Sequence, residues 1–156
     1  MGVSGSGKTT LGTALAARLG WDFFDADNFH PPENITKMTH GIPLTDADRV
    51  PWLAALHDLL SSTLASNRHP ILACSALKET YRLQLLEGIE GMETIYLKGG
   101  YELIWSRMTA RQGHFMRSEM LQSQLAALEE PANAFVLDIS LSIDEMIDKI
   151  VAKNFA

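Results

Sequence analysis

Gly2-Val3-Ser4-Gly5-Ser6-Gly7-Lys8-Thr9 is the stretch whose reading decides the fold. Its spacing of glycines, lysine and hydroxyl is that of a phosphate-binding loop, which joins a strand to a helix in a parallel α/β sheet. Loop glycines let the backbone wrap around phosphate oxygens, and the helix behind them adds its positive end. On this reading Gly2, Val3, Ser4, Gly5, Ser6, Gly7, Lys8, Thr9 and Thr10 surround the phosphates of ATP. Lys8 neutralises the β- and γ-phosphates, and the Thr9 hydroxyl takes one position on Mg²⁺. A chance glycine-rich turn is the competing reading, and the full pattern with a helix behind it disfavours that.

Outward from the loop, Leu11, Ala14, Leu15 and Leu19 fall at helical spacings, and Gly20 follows the last turn. Trp21 to Asp25 reads as a short strand that delivers Asp25 and Asp27 at its far end. His30-Pro31-Pro32 and Gly41-Ile42-Pro43 break regular structure around a short helix at 35–39, so about 28–50 reads as an acceptor-side insertion. Thr45-Asp46-Ala47-Asp48 has the capping-box pattern and opens a helix to about Ser66. Its expected buried stripe is Leu53, Leu56, Leu60 and Leu64, with Pro51 placed in the first turn. Strands are expected at 71–75, 94–98 and 134–139, and helices at 79–87 and 101–111. A second capping box, Ser142 to Glu145, opens a terminal helix whose inner face is Ile143, Met146, Ile147, Ile150 and Val151.

This alternation predicts an α/β fold with a mainly parallel sheet and helices on both faces, in one domain over residues 1–156. A phosphate loop should follow a buried strand, and only Met1 precedes Gly2. The usual central strand is therefore expected to be absent from this stretch of sequence: either the sequence starts late relative to the natural chain, or the sheet lacks that strand.

The formal net charge of -6 and the pI near 5.3 argue against nucleic acid and anionic membranes as partners, because both need basic patches. No apolar run approaches the ~20 residues of a membrane span. The lone Cys74 sits in an apolar run and reads as buried packing in a reduced, cytoplasmic protein.

Asp25 and Asp27 stand where open α/β sheets place ligand-binding residues. Beside Mg²⁺, one carboxylate can hold the metal through water and the other can take a proton from an attacking hydroxyl. We assign Asp25 to the metal and Asp27 to the proton. The same pair also reads as solvated loop acids. Cations form two groups: Lys37, Arg49, Lys78 and Arg82; and Arg107, Arg111, His114 and Arg117. Arg107 and Arg111 share a helix face just before Gln112-Gly113-His114-Phe115, and about 111–120 suits a lid that carries Arg111 to the transferring phosphoryl group. Paired surface charge is the alternative for each cation. Trp52 and Trp105 read as core anchors.

The segments Asp25-Ala26-Asp27-Asn28-Phe29-His30-Pro31, Asn34 to Met38, Gly41 to Leu53, Cys74 to Arg82, Ile95 to Gly99 and Arg111 to Met116 closely resemble thermoresistant-type gluconokinases. That resemblance covers nearly the whole chain. It implies a shikimate-kinase-like fold, Mg²⁺ dependence, a homodimer, and transfer of the γ-phosphoryl group of ATP to the 6-hydroxyl of D-gluconate. Asp27, His30, Arg49, Lys78, Arg82 and His114 are the candidates to meet the acceptor, with Arg49, Lys78 and Arg82 for its carboxylate and His30 and Asp27 nearer its hydroxyls. Arg107 and Arg111 are the candidates beside the nucleotide. Shikimate- or adenylylsulfate-kinase-like activity, or nucleotide binding without catalysis, are the rival readings.

Overall fold

Helical spacing behind a glycine loop should give a helix packed on a sheet, and the computed structural model, which describes residues 1–110 and 118–155, places α1 at Lys8–Leu19. Gly20 ends α1, its N–H reaching the Ala16 carbonyl. The chain returns through β1 (Asp22–Asp25), a single 3-10 turn (Ala26–Phe29) and α2 (Pro32–Thr39), then enters the long α3 (Asp46–Ala65). It continues as β2 (Pro70–Ala73), α4 (Glu79–Leu86), β3 (Ile95–Lys98), α5 (Tyr101–Thr109), α6 (Ser118–Ala127), β4 (Phe135–Asp138) and α7 (Ile143–Phe155).

Both strand pairs are parallel, as βα alternation requires. β1 lies beside β2, with Asp22 opposite Pro70 and Asp25 opposite Ala73; β3 lies beside β4, with Ile95 opposite Phe135. Met1 and Gly2 sit between the pairs. The Met1 amine donates to the Ile95 carbonyl at 2.5 Å, the Met1 carbonyl accepts from Leu97 N–H at 3.0 Å, and Gly2 N–H reaches the Ser75 carbonyl at 3.3 Å. That alternation is one rung of a parallel ladder with β3. Beyond this rung an apolar cavity of about 440 Å³ lies between β2 and β3, lined by Ile71, Leu72, Ala73, Thr94 and Ile95 with α1 beneath. The expected central strand is thus represented, among the described residues, by a single rung. The Met1 amine is buried there, which lowers its pKa to about 5.

Two apolar cores flank the sheet. One joins Val3, Leu11, Leu15, Leu97, Ile104, Leu121, Leu137 and Ile150; the other joins Trp52, Leu53, Leu56, Leu60, Cys74, Tyr81 and Leu85. Cys74 is buried as expected, and burial pushes its thiol up to about 11.

Three local expectations change. Pro51 stands six residues into α3, not in its first turn, where it removes the N–H that would bond Ala47. The buried stripe ends on Thr63 rather than Leu64, because Thr63 satisfies its hydroxyl on the Leu59 carbonyl at 2.7 Å. Finally, α6 is a helix that sequence periodicity did not announce.

Candidate active site

The N-terminus of α1 is built for an anion. Gly7 caps it without a side-chain hydrogen bond, and its first turn carries no acid, so nothing from the helix's own start neutralises the positive end. Gly5 and Gly7 hold φ of 81° and 98°, and a Cβ on Gly5 would stand 2.5 Å from Met108 Cγ. Glycine at position 5 is therefore required by both torsion and packing. Val3 anchors the loop in the core at 2% exposure. Its carbonyl accepts from Lys8 Nζ at 3.0 Å, which lays the lysine side chain along the loop. Ser6 is fully buried, Ser4 is held by Gln124, and Thr10 is exposed on the first turn of α1. Arg107 from α5 donates to the Ile139 carbonyl at 2.5 Å, and its Nη1 lies 4.0 Å from the position a Cβ on Gly7 would take.

Thr9 and Asp25 meet at the mouth of the loop. The Thr9 hydroxyl donates to Asp25 Oδ2 at 2.8 Å, while Asp25 Oδ1 caps the 3-10 turn by accepting from Asp27 N–H at 3.1 Å. Two hard oxygen donors side by side at a phosphate loop fit Mg²⁺, which takes few protein ligands and completes its shell with water and phosphate oxygens. Asp27 follows on the same turn, beyond the metal-side pair.

A second cluster grows from Asp27 outward. His30 stacks on Trp52 with ring centroids 4.4 Å apart, and its Nδ1 is 3.5 Å from the Asn34 amide. Trp52 is fixed in turn by its Nε1–H on the Ala26 carbonyl at 2.8 Å, and Asn34 by the Asp48 carbonyl at 2.8 Å. Burial lowers the His30 pKa; Asp27 opposes that shift and Arg49 adds to it, which puts all three in one electrostatic neighbourhood. The Thr45 capping box forms as expected, with Asp48 N–H on the Thr45 hydroxyl and Thr45 N–H on Asp48. Asp48 also takes Lys37 on both oxygens, at 2.7 and 2.8 Å, and this pairing holds its carboxyl down at about 2.

Asp46, which lies inside that box but takes no part in it, gathers Lys78, Tyr81 and Arg49. Both its oxygens accept from Lys78 Nζ, at 2.9 and 2.8 Å, and Oδ1 accepts from the Tyr81 hydroxyl at 2.5 Å. The Arg49 guanidinium and the Lys78 ammonium lie 5.6 and 5.5 Å from the Tyr81 ring centroid. Lys78 and Tyr81 hold the Asp46 carboxyl below its ordinary value, and Asp46 raises Lys78. Sequence reasoning missed Asp46 and Tyr81. The available signal was that Asp46 precedes the reciprocal capping acid, Asp48, and so is spare. Arg82 differs from the other cations, because its Nη1 is committed to the Ala76 and Leu77 carbonyls at 2.9 and 3.1 Å. Arg111 and His114 lie outside the described residues.

A phosphate loop, a parallel sheet and a carboxylate pair at a strand end define a P-loop kinase, and the family model for shikimate kinase matches residues 4–154. Within that class the chain belongs to the gluconokinase family. It is 44% identical to the probable gluconokinase of Mus musculus, covering 97% of this chain and 91% of the relative, and 43% identical to the thermoresistant gluconokinase of Escherichia coli K12, covering 99% and 88%. The crystal structure of a gluconokinase from Sinorhizobium meliloti 1021 superposes with a TM-score of 0.86 at 44% identity, covering 97% of this chain and 87% of that one.

Proposed function

We propose that this chain phosphorylates D-gluconate at its 6-hydroxyl, using ATP and giving 6-phosphogluconate and ADP. One observation carries the reading: Asp27 stands two residues beyond the Thr9–Asp25 pair, while Arg49, Lys78 and Tyr81 gather around a separate carboxylate, that of Asp46. An acceptor with a hydroxyl at one end and a carboxylate at the other matches that polarity.

Thr9 and Asp25 would hold Mg²⁺, which supplies charge neutralisation on the β- and γ-phosphates. Lys8 leaves the Val3 carbonyl for the same oxygens, and the α1 N-terminus presents its amides to them. Arg49 and Lys78 fix the gluconate carboxylate, and His30 orients hydroxyls beside Asp27. Asp27 accepts the 6-hydroxyl proton as that oxygen bonds to the γ-phosphorus; the β–γ bridging P–O bond breaks, and its electrons leave on ADP. Arg107, with Arg111 and His114 from a lid at about 111–120, offsets the charge of the moving phosphoryl group. The same reading takes 1–156 as one kinase domain, with about 28–50 as its acceptor insertion, working as a cytoplasmic homodimer.

An acceptor screen tests it. ADP release would be followed with gluconate, shikimate and adenylylsulfate, and the phosphorylated carbon identified by NMR. Turnover confined to gluconate with phosphate on carbon 6 is expected; turnover of shikimate or adenylylsulfate in its place overturns the reading.

A further inference from the structure

The helix α6 and the turn after it touch both ends of the site. Gln124 grips the nucleotide loop twice: its Oε1 accepts from Ser4 N–H at 2.7 Å, and its Nε2 donates to the Ser4 hydroxyl at 3.1 Å. Five residues on, Glu129 grips the loop that carries the acceptor-side lysine. Its N–H donates to the Leu77 carbonyl at 2.8 Å, and its Oε2 accepts from Glu79 N–H at 2.6 Å. Lys78 lies between these two residues as the N-cap of α4 and has no capping side chain of its own. Glu129 thus adds a second carboxylate, beside that of Glu79 in the first turn, to the positive end of α4.

The span between the grips is anchored. Leu121 is fully buried in the core with Leu97, Ile104 and Met108, and Leu125 and Leu128 pack against that core. Arg82 stiffens the far attachment through the Ala76 and Leu77 carbonyls. A core-anchored element hydrogen-bonded to two loops transmits the ordering of one to the other, because the first ligand to bind fixes freedom that the second need not fix again.

We propose that Gln124 and Glu129 are positioning residues that couple the nucleotide loop to Lys78, so that phosphates at Ser4 and a carboxylate at Lys78 strengthen each other's binding. This rests on the gluconate reading above. Linkage makes the effect reciprocal.

The test titrates gluconate by calorimetry, with and without a non-hydrolysable ATP analogue and Mg²⁺, into wild type, Gln124→Leu and Ser4→Ala. Wild type should bind gluconate about 5-fold or more tightly when the analogue is present. Gln124→Leu should lose that tightening yet keep wild-type affinity for gluconate alone, and Ser4→Ala, which removes one of the two bonds, should lose part of it. A purely structural Gln124 would lower the melting temperature and leave the tightening intact, which overturns the proposal. So does wild type that phosphorylates gluconate with no tightening at all. If wild type turns over no gluconate, the underlying reading fails instead, and the turnover assay reports that separately.

Discussion

The nucleotide end and the acceptor end are built on opposite plans. In the proposed function, phosphate recognition would come chiefly from eight consecutive residues, and the geometry of that loop follows from local torsions: Gly5 and Gly7 at positive φ and a helix start that nothing at its own N-terminus caps. On that same proposal, acceptor recognition would be assembled from three separate segments, with Asp27 and His30 after β1, Asp46 and Arg49 at the start of α3, and Lys78 and Tyr81 at the start of α4. Contiguous sites tolerate change elsewhere because their shape is held within one turn of chain. Dispersed sites depend on every element that sets their parts at the right separation.

Breaking the reactive junction should have the largest effect. Asp27→Asn is expected to lower kcat by about 10²- to 10⁴-fold with little change in either KM, since the amide keeps the size of the side chain but accepts no proton. Steady-state kinetics with varied gluconate checks it; a large rise in KM alone would make Asp27 a binding residue. Next, Lys8→Met should lower kcat by roughly 10²- to 10³-fold and weaken ATP binding, leaving gluconate affinity in the nucleotide-free protein unchanged.

Lys78→Met probes the other end. It removes the proposed charge-assisted contact to the carboxylate, so the gluconate KM should rise by roughly 10- to 100-fold. ADP affinity without gluconate should stay at the wild-type value, and equal losses for both ligands would erase the distinction between the ends. Smaller again, Thr45→Ala removes the cap that starts α3 and should cost about 1 kcal/mol in urea unfolding. Because that start also carries Asp46 and Arg49, gluconate affinity should fall with it, whereas ADP affinity should not.

A pH titration of stability gives the mildest contrast. The Asp48 carboxyl is held down at about 2 in the folded chain, chiefly by Lys37, against an unfolded value of 3.8. Its contribution is therefore fully present above about pH 4 and disappears as pH falls toward 2. Lys37→Met should reduce that acid dependence, leaving the part held by the Thr45 cap, as read from urea midpoints between about pH 2 and 5.

Sequence alone was sufficient for many of the features governed by neighbours along the chain. The loop at 2–9, the βα alternation, both capping boxes, the burial of Cys74 and Trp52, and the pairing of Thr9 with the carboxylate at position 25 follow from patterns a few residues long or from the strand-end rule. Only tertiary structure decided what the charges do. Lys37, Arg82 and Lys78 look alike in sequence, yet folding commits Lys37 to Asp48, turns one Arg82 nitrogen onto backbone carbonyls, and sets Lys78 with Tyr81 around Asp46. It also made Gln124, an ordinary polar residue of an unannounced helix, the partner of Ser4 across 120 positions. The reason is physical: backbone torsions and hydrophobic periodicity are short-range properties, whereas the partner of a long charged or amide side chain depends on which distant backbone the fold brings within about 3 Å.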